Sequence, residues 1–210
     1  MKDIKKIVED GYDRVVDRYV AWARGIGSEE RMRYSSVLLA RISEGAEVLE
    51  LGCGDGLPTT LQLAERFIVT GVDISSKLLS IARRNVPTGK FVHADMTEVE
   101  FESESFDAIA AFYSLIHVPR DELPALLKSI VEWLRPGGLF VATMGTVSEE
   151  VGFEEDWLGV PMCWSSYDAE TNRRLVEESG LHIVSAQEET AEEDGKPVTF
   201  LWVVAEKPTE

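Results

Sequence analysis

A glycine-rich turn that directly follows a short apolar segment is the first feature of this sequence that could bind a cofactor. Residues 48–51 read VLEL and residues 52–56 read GCGDG, with Gly52 and Gly54 at the first two glycine positions. A turn of this kind between a buried strand and a helix presents backbone N–H groups and a helix N-terminus to a ligand. Leu57 stands where a nicotinamide-binding turn has its third glycine or alanine, so the pattern disfavours a nicotinamide cofactor.

Two acidic residues follow at the ends of the next two predicted strands. Asp73 lies about twenty residues after Gly52, where its carboxylate can accept hydrogen bonds from both hydroxyls of a ribose. Asp95, with Met96 beside it, can accept a hydrogen bond from an adenine amino group. The three strand ends together predict a site for an adenosine-containing cofactor.

Candidate residues for the chemistry of a second substrate lie near this predicted site. His117, shortly after the fourth predicted strand, could be a general base for a substrate that is protonated at neutral pH, or could only brace its loop. Tyr12 and Tyr19 share one face of the first predicted helix. They could close over the cofactor and the substrate, or simply pack against the edge of the sheet.

Residues 157–167 contain a second group of aromatic side chains, in a stretch with glycine and proline that predicts a loop. Trp157, Trp164 and Tyr167 could form an aromatic wall over a small organic substrate. They could equally cover the sheet edge or form a self-association patch.

The elements that position these residues alternate along the chain between predicted strands and predicted helices. Apolar periodicity predicts two N-terminal helices, residues 4–22 and 28–42, and a final antiparallel hairpin, residues 181–187 and 198–206. The strands between them are predicted at 48–51, 67–72, 90–94, 106–113 and 139–144, and the helices at 58–66, 75–85, 120–134 and 168–179. This order predicts an α/β fold with a parallel, doubly wound sheet.

A single domain accommodates all of these elements. We expect an N-terminal helical cap over residues 1–43, a cofactor-binding core over 44–145, and a substrate-side loop and C-terminal hairpin over 146–210.

The amino-acid composition disfavours several classes of binding partner. The chain has 210 residues, with 21 Lys and Arg against 38 Asp and Glu, and a formal net charge of −17. Binding of a phosphate backbone depends on clustered cations, so nucleic acid is disfavoured as a partner. Cys53 and Cys163 lie far apart and outside any metal-binding spacing, which argues against a zinc site. The absence of a long apolar run or a secretory leader predicts a cytoplasmic protein without a membrane anchor, and the oligomeric state stays open.

The ordered motifs at residues 48–56, 71–75, 94–96, 106–109 and 134–138 resemble those of the class I S-adenosylmethionine-dependent methyltransferases. The resemblance covers about half of the chain. It implies a Rossmann-like sheet of seven strands in the order 3-2-1-4-5-7-6, with strand 7 antiparallel, which agrees with the predicted hairpin.

The resemblance also implies a role for each matching residue. The glycine turn would lie beside the methionine part of the cofactor, Asp73 would contact the ribose, and Asp95 with Met96 the adenine. Glu50 and Ile74 are further expected cofactor contacts. Ser114 would lie near the transferred methyl group, and Tyr19 would cover the cofactor from the N-terminal helix.

The function predicted from these features is methyl transfer from S-adenosylmethionine to a small-molecule acceptor by in-line displacement. Residues 113–116 read YSLI and lack the Asn/Asp-Pro-Pro-Tyr/Phe motif of enzymes that methylate amines in nucleic acids. Two alternatives remain open at this point: a non-catalytic protein that binds S-adenosylmethionine, and a nicotinamide-dependent oxidoreductase.

Overall fold

Residues 4–209, which the computed structural model describes, form nine strands and six α-helices. The strands are β1 (Glu47–Leu51), β2 (Ile68–Asp73), β3 (Lys90–His93), β4 (Phe106–Ala111), β5 (Leu134–Met144), β6 (Glu149–Trp157), β7 (Val160–Ser166), β8 (His182–Glu193) and β9 (Lys196–Glu206). The helices are α1 (Ile4–Ala23), α2 (Ser28–Arg41), α3 (Thr59–Ala64), α4 (Ser76–Asn85), α5 (Leu123–Trp133) and α6 (Ala169–Glu178), and a 3₁₀ helix covers Leu115–His117. None of the helices within the described range has both the length and the apolar character of a membrane span.

Seven of these strands form one sheet in the order β3-β2-β1-β4-β5-β9-β8. Strands β1 to β5 pair in parallel, whereas β9 runs antiparallel to both β5 and β8. The predicted sheet order with an antiparallel seventh strand is confirmed, because β8 and β9 take the last two places in the sheet. Connections between parallel strands bring the carboxyl ends of β1, β2, β3 and β4 to one edge, where ligands bind in sheets of this type.

The apolar sequence of β4 follows from burial on both of its faces. Ile109 packs with Leu127 of α5 on one side, and Ala110 packs with Leu38 of α2 on the other. A strand covered by helices on both faces has no solvent side and therefore no alternation of polar residues. This two-sided core holds β1 and β4 rigidly at the centre of the sheet.

The predicted loop over residues 157–167 is wrong, because most of this segment belongs to a second antiparallel sheet formed by β6 and β7. Trp157 pairs with Val160 across a tight turn in which Leu158 and Gly159 both have positive φ values, 49° and 87°. Two positive φ values in a row are typical of a hairpin turn. Pro161 and the acidic composition of β6 conceal the strand alternation in the sequence.

The C-terminal hairpin is longer than predicted. The polar residues 188–197 continue the β8–β9 ladder up to a turn at Asp194 and Gly195. This extension carries the hairpin tip to the C-terminal end of α1, where the Asp194 carboxylate accepts a hydrogen bond from Trp22 Nε1 at 3.0 Å.

Helix α1 lies across the carboxyl edge of the sheet. Asp13 fixes it there by accepting hydrogen bonds from Ser75 Oγ at 2.6 Å and from the backbone N of Lys77 at 3.2 Å, at the start of α4. On the other side, a Cβ atom at Gly11 would lie 2.8 Å from Met162 Cε of β7, so glycine permits this close approach. The predicted face of α1 that carries Tyr12 and Tyr19 is thereby held over the strand ends.

Candidate active site

The glycine turn after β1 has a conformation that only glycine adopts without strain. Gly52 and Gly54 have φ values of 76° and 56°. A Cβ atom on Gly52 would lie 2.2 Å from Cβ of Ser114, so the turn and the end of β4 pack together directly. Ser114 completes the contact by donating a hydrogen bond from Oγ to the Leu51 carbonyl at 2.7 Å. The role of Ser114 visible in the structure is therefore to fix the turn, and it also lines the smaller of the two cavities described below.

Asp73 at the end of β2 is organised by the same turn. Its Oδ2 accepts a hydrogen bond from the backbone N of Gly54, and its Oδ1 accepts one from the backbone N of Ser75, both at 2.8 Å. These bonds leave further lone pairs on both oxygens, which suits a pair of hydroxyl donors. Burial raises the pKa of Asp73 to about 6, in spite of the two N–H donors. A ligand that donates hydrogen bonds would restore the stabilisation that burial removes from the carboxylate.

A small cavity of about 70 Å³ lies beside Asp73. Ile74, Met96 and Asp95, all predicted as cofactor contacts, line it together with apolar side chains of the neighbouring elements. Oδ1 of Asp95 accepts hydrogen bonds from N and Oγ1 of Thr97, both at 2.9 Å. The slot is apolar on its sides and acidic at its end, as an adenine ring with an amino group requires.

Lys5 was not predicted at this site, although it lines the small cavity. Its Nζ lies 2.9 Å from Oδ2 of Asp95 and 2.6 Å from Oε2 of Glu122. These ion pairs tie the first turn of α1 to the end of the small cavity at Asp95. No local sequence signal indicates them, because Lys5 and Asp95 meet only through the packing of α1 on the sheet edge.

On the other side of the turn, Glu50 of β1 is 4% exposed and accepts a hydrogen bond from Thr60 Oγ1 at 2.5 Å. Burial raises the pKa of Glu50 to about 8, against the opposing influence of Thr60 and Arg31. Arg31 of α2 was also missed by sequence reasoning. Its Nη2 donates to the carbonyls of Ala23 and Ile26, which places the guanidinium at the corner between α1 and α2. A buried acid and a cation thus line the same larger cavity.

This larger cavity has a volume of about 490 Å³ and meets the smaller one at the glycine turn. Both cavities are lined by Gly52, Gly54, Tyr12, Tyr19 and His117. A ligand seated along the strand ends therefore has one end in the slot near Asp95 and the other in the larger cavity. The remaining volume is available to a second molecule.

Aromatic side chains form one continuous wall of the larger cavity. Trp157 is its centre, with ring centroids 5.6 Å from Tyr12, 6.1 Å from Tyr19, 5.7 Å from Trp22 and 6.0 Å from Trp164. The predicted residues Tyr12, Tyr19, Trp157 and Trp164 are thus together. Trp22 was missed, although its position three residues after Tyr19 places it on the same helix face.

Tyr167 does not join this wall. Its ring packs against the main core, and the Arg120 guanidinium lies 5.3 Å from the ring centroid. The residue follows β7, beyond the part of the hairpin that faces α1, so its predicted contact with a substrate does not fit the structure.

Tyr12 and His117 form a hydrogen-bonded pair at the junction of the two cavities. Tyr12 Oη lies 2.8 Å from Nε2 of His117, and the ring's Nδ1 lies 2.9 Å from the carbonyl oxygen of Cys163. A carbonyl only accepts hydrogen bonds, so Nδ1 carries the proton of the neutral ring. Burial lowers the pKa of His117 to about 4, which keeps the imidazole neutral at pH 7. Nε2 is then an acceptor, and the Tyr12 hydroxyl donates to it.

A site built in this way on a doubly wound sheet belongs to a Rossmann-like protein that binds an adenosyl cofactor. Residues 48–138 match the family model described as a methyltransferase domain. Over this segment, which is somewhat less than half of the chain, the protein is similar to methyltransferases. This finding decides against the nicotinamide alternative, in agreement with Leu57 at the third glycine position.

Similarity to individual proteins extends over different parts of the chain. Phosphoethanolamine N-methyltransferase 1 of Triticum aestivum is 29% identical over 160 residues, which make up 71% of this chain and 31% of that protein. Trans-aconitate 2-methyltransferase of Paracidovorax citrulli is 38% identical over 122 residues, 55% of this chain and 46% of that protein. The chain therefore spans about a third to a half of the length of these relatives.

The fold is also that of a solved structure, magnesium protoporphyrin IX methyltransferase from Synechocystis PCC 6803 with bound S-adenosylmethionine. The two structures superpose with a TM-score of 0.77, at 16% identity, over 99% of this chain and 98% of that one. At this identity the likeness concerns the fold alone.

Proposed function

We propose that this protein transfers a methyl group from S-adenosylmethionine to a small-molecule acceptor by in-line displacement. The observation that carries the proposal is the junction of the two cavities at the glycine turn. An adenosyl slot at Asp73 and Asp95 opens there into an aromatic chamber of sufficient volume for an acceptor. A displacement needs donor and acceptor aligned end to end, and two cavities that meet at the glycine turn support such an alignment.

The residues present fit the cofactor along its whole length. Asp73 would accept hydrogen bonds from the ribose hydroxyls, and Asp95 from the adenine amino group, with Ile74 and Met96 against the base. Glu50 and Arg31, on the side of the larger cavity, suit the ammonium and the carboxylate of the methionine part. When bound, S-adenosylmethionine supplies an electrophilic methyl group on a sulfonium centre.

His117 would act through Tyr12 rather than on the acceptor directly, because the Tyr12 hydroxyl already occupies its Nε2. Donation to His117 fixes the Tyr12 proton on one side of Oη and leaves the oxygen lone pairs for an acceptor N–H or O–H group. Tyr12 Oη thus orients the acceptor by accepting a hydrogen bond from it, and His117 fixes the Tyr12 hydroxyl. The hypothesis that His117 is the general base becomes, in this form, a positioning role, because its lowered pKa disfavours protonation of the ring at pH 7.

The class of acceptor follows from several observations. The volume of the larger cavity, about 490 Å³, suits a small molecule, and the net charge disfavours nucleic acid. The relatives named above act, by their names, on phosphoethanolamine and trans-aconitate, which are small molecules. A cytoplasmic location remains a prediction from the sequence.

Calorimetric titration with S-adenosylmethionine, with NAD as the comparison ligand, tests the cofactor part of this proposal. We expect saturable binding of the former alone. Asp73→Asn removes one acceptor oxygen and the charge, and is expected to weaken binding by about 1–3 kcal/mol, while the exposed Asp121→Asn serves as a matched control. Equal affinity in Asp73→Asn and the wild type would remove Asp73 from the ribose site.

Transfer itself is measured by release of S-adenosylhomocysteine in the presence of a panel of small acceptors. Turnover with any acceptor that depends on Tyr12 supports the enzyme. Tight cofactor binding without turnover across amines, hydroxyls, thiols and carboxylates would instead favour the alternative, a non-catalytic cofactor-binding protein.

A further inference from the structure

The lining of the larger cavity combines aromatic rings with carboxylates. The aromatic wall of Tyr12, Tyr19, Trp22, Trp157 and Trp164 forms one side. Carboxylates from β6 and from the β8–β9 hairpin also line the cavity, and these are Glu149, Glu154, Glu193 and Asp194. Aromatic faces beside carboxylates are the surroundings that proteins use to hold an organic cation.

One of these carboxylates is fixed directly on the aromatic wall. Both oxygens of Asp194 accept hydrogen bonds from Trp22 Nε1, at 3.1 and 3.0 Å. The carboxylate is thereby held beside an indole ring at the cavity margin. A cation in the chamber would meet the negative face of aromatic rings and a full negative charge within a short distance.

The negative charge at this margin exceeds the local positive charge. Among the described residues that line the cavity, the cations are Arg31 and Lys196. Arg31 is bound by backbone carbonyls at the α1–α2 corner, on the side that suits the methionine part of the cofactor. Lys196 lies opposite Glu193 in the β8–β9 ladder, so its positive charge can offset one carboxylate of the four.

Burial makes the ionised form of one of these carboxylates less favourable. The pKa of Glu193 is raised, first by burial and then by the neighbouring Asp194 carboxylate, with Arg31 opposing. A carboxylate held under such conditions is stabilised by any cation that enters the cavity. An acceptor with a phosphate or carboxylate group would add to the repulsion.

We propose that the acceptor is a small amine that is cationic in solution, has an apolar or aromatic body, and carries no anionic group. This inference rests on the proposed methyl transfer and specifies its substrate. The aromatic wall would hold the body of the acceptor, the carboxylates of the β8–β9 tip would attract its charge, and Tyr12 Oη would receive an N–H of the reacting nitrogen.

Methyl transfer to such an amine accounts for each proton and each electron pair. Its ammonium group first loses one proton to solvent, which gives the nitrogen a lone pair. That lone pair forms the new nitrogen–carbon bond to the methyl group, and the electron pair of the broken carbon–sulfur bond remains on sulfur. The product is an ammonium ion with one more methyl group, and the chamber that attracted the acceptor stabilises the positive charge that returns to nitrogen.

Three probes of one shape test the preference for positive charge. 2-Phenylethylamine, 2-phenylethanol and 3-phenylpropanoate share a phenyl ring and a short chain, and carry a cationic, a neutral and an anionic end. Each is titrated calorimetrically into the protein saturated with S-adenosylhomocysteine. We expect the amine to bind at least about tenfold more tightly than the alcohol, and the carboxylate more weakly than either.

Matched variants separate the local carboxylates from the acidity of the whole surface. Glu193→Gln and Asp194→Asn are each expected to weaken amine binding by about threefold or more and to leave alcohol binding unchanged. Glu192→Gln on the same strand and Glu150→Gln on β6 remove equal charge outside the cavity and are expected to change amine binding by less than about twofold.

The outcomes are distinct. The amine assignment is overturned if the alcohol or the carboxylate binds as tightly as the amine or more tightly. It is also overturned if Glu192→Gln weakens amine binding as much as Glu193→Gln does. Failure of all three probes on a protein that binds S-adenosylhomocysteine also overturns it, while leaving the methyltransferase proposal in place. Failure to bind S-adenosylhomocysteine itself would contradict the proposed function, and the acceptor assignment with it.

Discussion

The hydroxyl of Tyr12 donates to Nε2 of His117 across 2.8 Å, and this bond joins α1 to the segment that follows β4. The same imidazole is held from its other side by the Cys163 carbonyl of β7. Three elements that are remote in sequence therefore meet at one ring. This bond therefore orients the proposed catalytic hydroxyl, and it adds to the contacts of Asp13 and Lys5 that hold α1 over the strand ends.

Removal of the Tyr12 hydroxyl is the most direct test of its role. Tyr12→Phe keeps the ring in the aromatic wall but deletes the oxygen that would accept a hydrogen bond from the reacting group of the substrate, so we expect kcat to fall by roughly 10–100-fold. Cofactor affinity should change little, because the ring still covers the site. Steady-state kinetics and calorimetry measure the two quantities separately.

A matched control for this variant is Tyr34→Phe, which removes a hydroxyl that donates to Glu189 at 2.6 Å on another surface. We expect its kcat to equal that of the wild type. Full activity in Tyr12→Phe would exclude the hydroxyl from the reaction and leave Tyr12 as a packing residue.

The pH dependence of stability reports on the neutral state of His117. Burial lowers the pKa of this ring to about 4 in the folded protein, from 6.5 when exposed. The folded state then binds fewer protons between these values, so His117 contributes stability above pH 6.5 that is lost as the pH falls towards 4. The expected contribution is on the order of 3 kcal/mol.

The difference between the wild type and His117→Gln isolates this contribution. Urea unfolding at several pH values from 4 to 7 should show that the advantage of the wild type over the variant shrinks as the pH falls. A constant difference over this range would contradict the buried, neutral imidazole.

The cofactor half of the site could be predicted from sequence because its residues lie at strand ends. Gly52 directly follows β1, Asp73 is the last residue of β2, and Asp95 lies two residues after β3. Parallel strands bring their carboxyl ends to one edge of the sheet. Local pattern and sheet order together therefore determine where these side chains meet.

The acceptor half could be predicted only in part. Tyr12 and Trp157 were recognisable as aromatic candidates, but their contact depends on how α1 packs against the β6–β7 hairpin. Arg31 and Asp194 carry no local signal, since each reaches the cavity from a corner or a hairpin tip. Residues placed by the packing of one element on another cannot be identified from the spacing along either element.

Glu50 should couple cofactor binding to protonation. Burial raises the pKa of Glu50 to about 8 from an ordinary 4.5, so the folded, ligand-free protein binds one more proton than the unfolded chain between these values. Stability is therefore lost as the pH rises from 4.5 through 8. Glu50→Gln cannot ionise, and we expect the ligand-free variant to gain stability relative to the wild type between pH 6 and 9.

Binding should show the opposite trend. An ionised Glu50 stabilises a cationic ligand, so the ratio of wild-type to Glu50→Gln affinity for S-adenosylmethionine should rise with pH over the same range. Thermal unfolding and calorimetry at pH 6, 7.5 and 9 provide both series. A ratio that does not change with pH would show that Glu50 keeps one protonation state throughout binding.

The glycine turn provides a test of packing that is independent of any ligand. Gly45 and Gly52 both have positive φ values, 80° and 76°, but a Cβ atom would find open space at Gly45 and would lie 2.2 Å from Ser114 Cβ at Gly52. Gly45→Ala should therefore cost only the backbone strain of a left-handed residue, about 1–2 kcal/mol. Gly52→Ala must in addition displace Ser114 and the hydrogen bond from its Oγ to the Leu51 carbonyl.

We expect a larger loss of unfolding free energy in urea for Gly52→Ala, together with loss of cofactor binding, whereas Gly45→Ala retains binding. Equal losses in the two variants would mean that the turn and the end of β4 are free to separate, and that their contact does not shape the site.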